Sequence, residues 1–111
     1  MNSDGGTKYD QDKIRLELLP GDVLYAIATI LTFGTLKYGA RNWEQGMAWS
    51  RCYGALQRHL WSWFQGEDKD PESGKSHLWH AGCMLVFLIA YEIRNIGTDD
   101  RPNKKEQTDT E

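Results

Sequence analysis

Cysteine is scarce: Cys52 and Cys83 are the only two in 111 residues, and they fall in separate apolar stretches rather than as a short-spaced pair. That spacing excludes a paired-cysteine zinc or redox motif and marks both thiols as reduced core residues. Long apolar runs are lacking as well. The longest, residues 81–91, is well short of the roughly 20 residues needed to cross a bilayer, so it is expected to be a buried helix. Neither sign of charge dominates: 13 Lys and Arg against 16 Asp and Glu leave a formal charge of -3. Net charge therefore gives no reason to expect a nucleic acid or membrane partner, and an anionic ligand must be caught by a local cluster. Residues 1–7 are polar and contain glycine, without the apolar core of a secretory signal, which makes the cytoplasm the expected compartment. There is no glycine-rich phosphate loop with its following Lys and Ser or Thr, no dinucleotide fingerprint, no His-Glu-x-x-His and no zinc-finger spacing.

Aromatic residues are abundant, with five Trp, five Tyr and three Phe, mostly inside the apolar segments, so a sizeable single core can be built. Residues 1–7 and 98–111 are polar and expected to be loose, leaving 8–97 as the folded domain. An irregular segment leads through Ile14, Leu16, Leu18 and Leu19, which are expected to pack. After Pro20 and Gly21, Asp22 is placed to cap a first helix carrying Val23, Ile27, Ile30 and Leu31 at helical spacing up to Gly39. Residues 40–49 read as a polar loop with embedded aromatics. Ser50 is placed to cap a second helix with the stripe Tyr53, Leu56, Leu60 and Phe64. Residues 66–75 hold two Gly, one Pro and four acids, a loop. A third helix follows from about Ser76 to Arg94, apolar on nearly every side and so the central member of the packing. The expected fold is all-α: a small antiparallel bundle of three to four helices, completed by a second copy of the chain as a homo-oligomer.

All three histidines, His59, His77 and His80, flank the acidic loop. His77 and His80 lie three apart on one helix and so point the same way, while His59 approaches from the end of the preceding one. With Glu67, Asp68 and Asp70 they form a set of nitrogen and oxygen donors suited to a divalent ion, Mg²⁺ or Mn²⁺ with Zn²⁺ also compatible. The same residues also suit a solvated turn beside hydrogen-bonded helix histidines, with Asp70 or Glu72 capping the third helix. A second group, Lys8, Lys37, Arg41, Asn42, Trp43, Trp49, Arg51 and Arg58, mixes cations for phosphate with aromatic faces for a base. Taken one at a time, such cations are usually solvated and such tryptophans usually core.

The segments Lys8-Tyr9-Asp10, Lys37-Tyr38-Gly39 with Asn42-Trp43, Gly46-Met47 with Trp49-Ser50-Arg51, Arg58-His59-Leu60, Asp70-Pro71-Glu72-Ser73-Gly74 and His77-Leu78-x-His80-Ala81 together resemble the phage family of dATP/dGTP diphosphohydrolase N-terminal domains. The resemblance runs from Lys8 to Glu92. It implies an all-α relative of the MazG-like pyrophosphohydrolases that handles a purine deoxynucleoside triphosphate and splits it to monophosphate and pyrophosphate with a divalent ion, adjusting phage nucleotide pools. Glu67, Asp70 and His59 would be catalytic, and Glu67, Asp68, Asp70, His77 and His80 would hold the ion. The Glu-x-x-Glu half of the MazG-type signature is absent; only Glu67-x-x-Asp70 remains. A second reading is therefore a nucleotide-binding protein without turnover that sequesters a nucleotide or a cyclic dinucleotide.

Overall fold

The computed structural model describes residues 12–105. Among them the fold is all-α: α1 spans Gly21–Tyr38, α2 Trp49–Phe64 and α3 His77–Arg94, with short 3-10 turns at Leu16–Leu18 and Asn42–Gln45. No helix among the described residues is long and apolar enough to cross a membrane. As its all-round apolar sequence predicts, α3 is central, packing against both α2 and α1. The core joins Ile30 of α1, Cys52 of α2 and Cys83, Phe87 and Tyr91 of α3.

Tyr91 is fully buried, and a buried phenol needs a partner for its hydroxyl. It donates to the Trp43 carbonyl at 2.6 Å, which pins the Asn42–Gln45 turn onto α3. The Trp43 ring stacks on Phe87 with centroids 4.6 Å apart, and the Arg94 guanidinium covers it at 5.5 Å. Both cysteines are buried and unpaired. Cys52 Sγ donates to the Met84 carbonyl at 3.3 Å. Burial pushes the Cys52 thiol up to about 11 and the Cys83 thiol up to about 12, so both stay protonated and inert.

The helix starts differ from the sequence expectation. The N-cap of α1 is Pro20, without a side-chain bond; Asp22 lies inside the first turn, where its carboxylate accepts from the Val23 N–H at 2.8 Å. Ser50 does not cap α2, because the helix already begins at Trp49. The acceptor for that first turn comes from far along the chain. Asp100 takes the Ser50 backbone N–H at 2.9 Å and its hydroxyl at 2.6 Å, while the Thr98 carbonyl takes the Trp49 N–H at 2.9 Å. Residues 98–101, expected to belong to a loose tail, are thus tied to α2. At α3 neither Asp70 nor Glu72 is the cap: Ser76 Oγ accepts from Leu78 N.

Two apolar expectations also change. Ile14, Leu16, Leu18 and Leu19 do not pack among the described residues; they are 53–87% exposed. The stripe read on α2 turns mostly outward, with Tyr53, Leu60 and Phe64 exposed, because the side of α2 that meets α3 is set by Cys52 and His59.

Gly97 lets the chain turn from α3 back toward α2. It has φ +78, and a Cβ there would overlap the Met47 backbone carbonyl. Gly97→Ala is expected to cost about 1–3 kcal/mol of stability; urea denaturation measures this, and an unchanged midpoint would show that the turn relaxes freely.

Candidate metal and nucleotide site

The antiparallel register of α2 and α3 that sets Cys52 level with Met84 sets His59 level with His77, seven residues along each helix. His59 Nδ1 and His77 Nδ1 stand 2.9 Å apart. The loop between the helices folds back over them. Its ends pair at Lys69 and Ser76, the Asp68 carbonyl accepts from the His77 N–H at 2.9 Å, and the Gly74 N–H donates to the Asp70 carbonyl at 2.7 Å. This closure brings an Asp70 carboxylate oxygen to 3.8 Å from His59 Nδ1.

The ring orientations are fixed from outside. Glu67 Oε1 lies 2.7 Å from His77 Nε2. An ionised carboxylate only accepts, so His77 carries its proton on Nε2 and points the Nδ1 lone pair toward His59 and Asp70. A carboxylate behind an imidazole is the usual arrangement that orients a metal-binding histidine. The His80 ring stacks on His59 with centroids 4.6 Å apart and planes 10° from parallel, edge-on to Phe33 at 6.3 Å, and Ser73 Oγ holds its Nε2 at 2.7 Å.

Burial lowers the pKa of His59, and the neighbouring His80 lowers it further against the opposing pull of Asp70. Burial also lowers that of His80. Both imidazoles are therefore neutral near pH 7, the form that ligates metals. For Asp70 burial works upward, but the backbone N–H groups of Glu72 and Ser73 and the two imidazoles overcome it and hold the carboxyl below its ordinary range.

The donor atoms of His59, Asp70 and His77 all lie within 4.8 Å of one another. Two nitrogens bound at about 2.1 Å to one ion stand roughly 3.0–3.4 Å apart, close to the separation seen here. Of the residues singled out from sequence, these three therefore come together. Glu67 stands behind His77, His80 is turned to Ser73, and Asp68 contributes its main-chain carbonyl. Ser73 and Phe33 were not anticipated as supports; a serine inside a glycine- and proline-containing loop carries no local signal for a partner seven residues on.

The cationic and aromatic group is not assembled around the histidines. Lys8 lies outside the described residues. Lys37 comes close, pairing with Glu72 above its own neighbour Tyr38, and Arg58 adjoins His59 on α2. Arg41, Asn42 and Trp43 sit instead beside Tyr91, about 20 Å from His77 at ~1.5 Å per residue of α3. There Glu44 pairs with Arg41 at 2.6 Å and with Arg94 at 2.9 Å. Both faces of Trp43 are covered, so it supports the core rather than presenting a face to a base. Trp49 is anchored by its indole N–H to the Ile96 carbonyl at 3.0 Å under Arg101, and Arg51 is exposed at the same end. Within one chain α3 separates the two halves of this group by nearly its whole length.

Residues 3–101 match the family described as dATP/dGTP diphosphohydrolase, N-terminal. The chain belongs to this family. A relative from Salmonella phage PMBT28, named dATP/dGTP diphosphohydrolase, is 34% identical over 96 residues, covering 86% of this chain and 33% of its own length. The chain thus spans about a third of that relative. No solved structure matches the chain. His59, Asp70, His77 and the loop that orders them lie inside the matched span.

Unfolded histidines titrate near 6.5, whereas native His59 and His80 titrate lower. Below that pH the unfolded chain binds more protons, so their contribution to stability is complete above about 6.5 and is lost as pH falls through the native values. Thermal midpoints of metal-free protein should be level from about pH 8 to 7 and fall toward about pH 5, and His80→Gln should make that fall shallower. An identical fall in the variant would assign the slope to other groups.

Proposed function

We propose that the chain hydrolyses a purine deoxynucleoside triphosphate to the monophosphate and pyrophosphate at the His59, Asp70 and His77 site, with a divalent ion. The observation that carries this reading is the convergence of two imidazoles and one carboxylate, with Glu67 orienting one of the rings, in a member of the dATP/dGTP diphosphohydrolase N-terminal family. Two nitrogen donors with one oxygen favour Mn²⁺ or Zn²⁺ over Mg²⁺, which prefers oxygen ligands and retains its waters. Such an ion supplies positive charge beside the phosphate oxygens and lowers the pKa of a nearby water.

The chain's own groups do the rest. Asp70, kept ionised by the backbone N–H groups of Glu72 and Ser73, balances the ion's charge. The stacked His80 keeps the His59 ring in its plane. Lys37 and Arg58 are the cations nearest to the negative charge of the departing pyrophosphate. Glu67, half-exposed, holds the His77 ring from behind through Nε2; the water that attacks the α-phosphorus gives its proton to solvent while the bond to the bridging oxygen breaks.

Incubation with dGTP or dATP and Mn²⁺ or Zn²⁺, followed by chromatography, should yield monophosphate and pyrophosphate, with chelation abolishing turnover. Glu67→Gln should weaken metal binding or activity by about 10–100-fold, and His77→Ala should lose more. Unchanged turnover in both variants would remove the site assignment. Intact nucleotide or cyclic dinucleotide recovered from the protein would replace hydrolysis with sequestration.

A further inference from the structure

Three aromatic rings among the described residues carry a cation: Trp43 under Arg94, Trp49 under Arg101 and Tyr38 under Lys37. A ring beside a cation is what a nucleotide needs, a π-face for the base and positive charge for the phosphates. The first two are engaged by the fold: Trp43 stacks on Phe87, and the Trp49 indole is tied to the Ile96 carbonyl. Both also stand at the end of α3 away from the histidines. Tyr38 differs on each count. It is 63% exposed, and it is the last residue of α1, at the histidine end.

That placement follows from α1 itself. Phe33 meets the His80 ring edge-on at 6.3 Å. Lys37, four residues on, lies on the same face of the helix and pairs with Glu72. Glu72 in turn gives its backbone N–H to the Asp70 carboxylate at 2.7 Å. Tyr38 starts about 100° farther round α1, but Lys37 Nζ lies 5.2 Å from its ring centroid, so the ring leans back toward the loop. Beyond it the chain leaves the helix at Gly39, which has φ +90 and where an added Cβ would meet nothing within 4 Å. An exposed ring, a cation and open space therefore border the donor set of His59, Asp70 and His77.

We propose that the end of α1 is the nucleoside subsite of this centre: the base stacks on Tyr38, and the phosphates draw Lys37 away from Glu72, whose carboxylate holds the place that phosphate takes. The identity of the ligand rests on the hydrolase reading above; the place of the subsite rests on α1. An exposed ion pair contributes little, and a polyphosphate carries more charge than the one carboxylate it displaces, so the exchange runs toward the ligand. Every base has a π-face, and stacking accepts them all. Tyr38 therefore sets the preference for a nucleotide over bare polyphosphate, not the choice between bases.

The probes are the α,β-methylene analogues of dGTP and dATP, which cannot be split at that bond, and inorganic tripolyphosphate, which lacks a base. Each is titrated into the full chain with Mn²⁺ by calorimetry. Tyr38→Ala should weaken both analogues by about 5–150-fold and leave tripolyphosphate unchanged, while Tyr38→Phe, which keeps the ring, should bind as the wild type does. Glu72→Gln should bind all three probes about two- to fivefold more tightly, and Lys37→Gln should bind all three more weakly. All three side chains are exposed, so the variants should keep the helical circular dichroism of the wild type. Analogue binding that survives Tyr38→Ala, or an equal loss of tripolyphosphate, overturns the base platform. Unchanged tripolyphosphate affinity in Glu72→Gln overturns the exchange. Failure of the hydrolase reading looks different: dGTP itself then comes back intact, and the subsite stands if the analogues bind and Tyr38→Ala weakens them alone. A wild type that binds neither analogue overturns the subsite, and whether dGTP is split then decides the hydrolase reading separately.

Discussion

The antiparallel register of α2 against α3 governs everything else in this fold. It is fixed in the core, where the Cys52 thiol meets the Met84 carbonyl and Tyr91 closes the far end without any exposed surface. Two turns farther along the same contact line, the interior becomes polar, and His59, His77 and His80 occupy positions that a uniform bundle would fill with leucine. A one-residue slip would turn His59 away from His77 and separate the donor set. The packing energy of the apolar core is thus what holds three imidazoles in mutual contact.

That contact has an electrostatic condition. Three adjacent imidazoles could not all be protonated without repulsion, and burial of His59 and His80 already favours the neutral forms. Carboxylates surround the group at graded depths. Asp70 sits among backbone donors close to the rings, Glu67 reaches His77 from a half-exposed position, and Glu72 is engaged by Lys37 from α1. The acidic loop therefore serves as a folded lid on a nitrogen-rich centre rather than as a solvated turn.

Much of this was legible in the sequence, and the rest was not for identifiable reasons. Helical spacing located α1, α2 and α3, and the all-round apolarity of α3 marked it as central. The crowding of all three histidines around one acidic loop located the donor cluster. Periodicity could not say which side of α2 faces inward, because Tyr53, Leu60 and Phe64 make a better apolar stripe than the side bearing Cys52 and His59. Nor could proximity in sequence show that Trp43 is clamped between Phe87 and Arg94, or that helix length carries Arg41 away from His77. The cap of α2 lies 50 residues from the helix start, beyond any local rule.

That distant cap bears on where the smallest autonomous folding unit ends. Cutting after Gly97 would look harmless from hydropathy, yet it would strip the first turn of α2 of its carboxylate and carbonyl acceptors and uncover the Trp49 indole. The minimal unit extends through Arg101, which is also where the family match stops; a linker to any following segment would begin beyond that point.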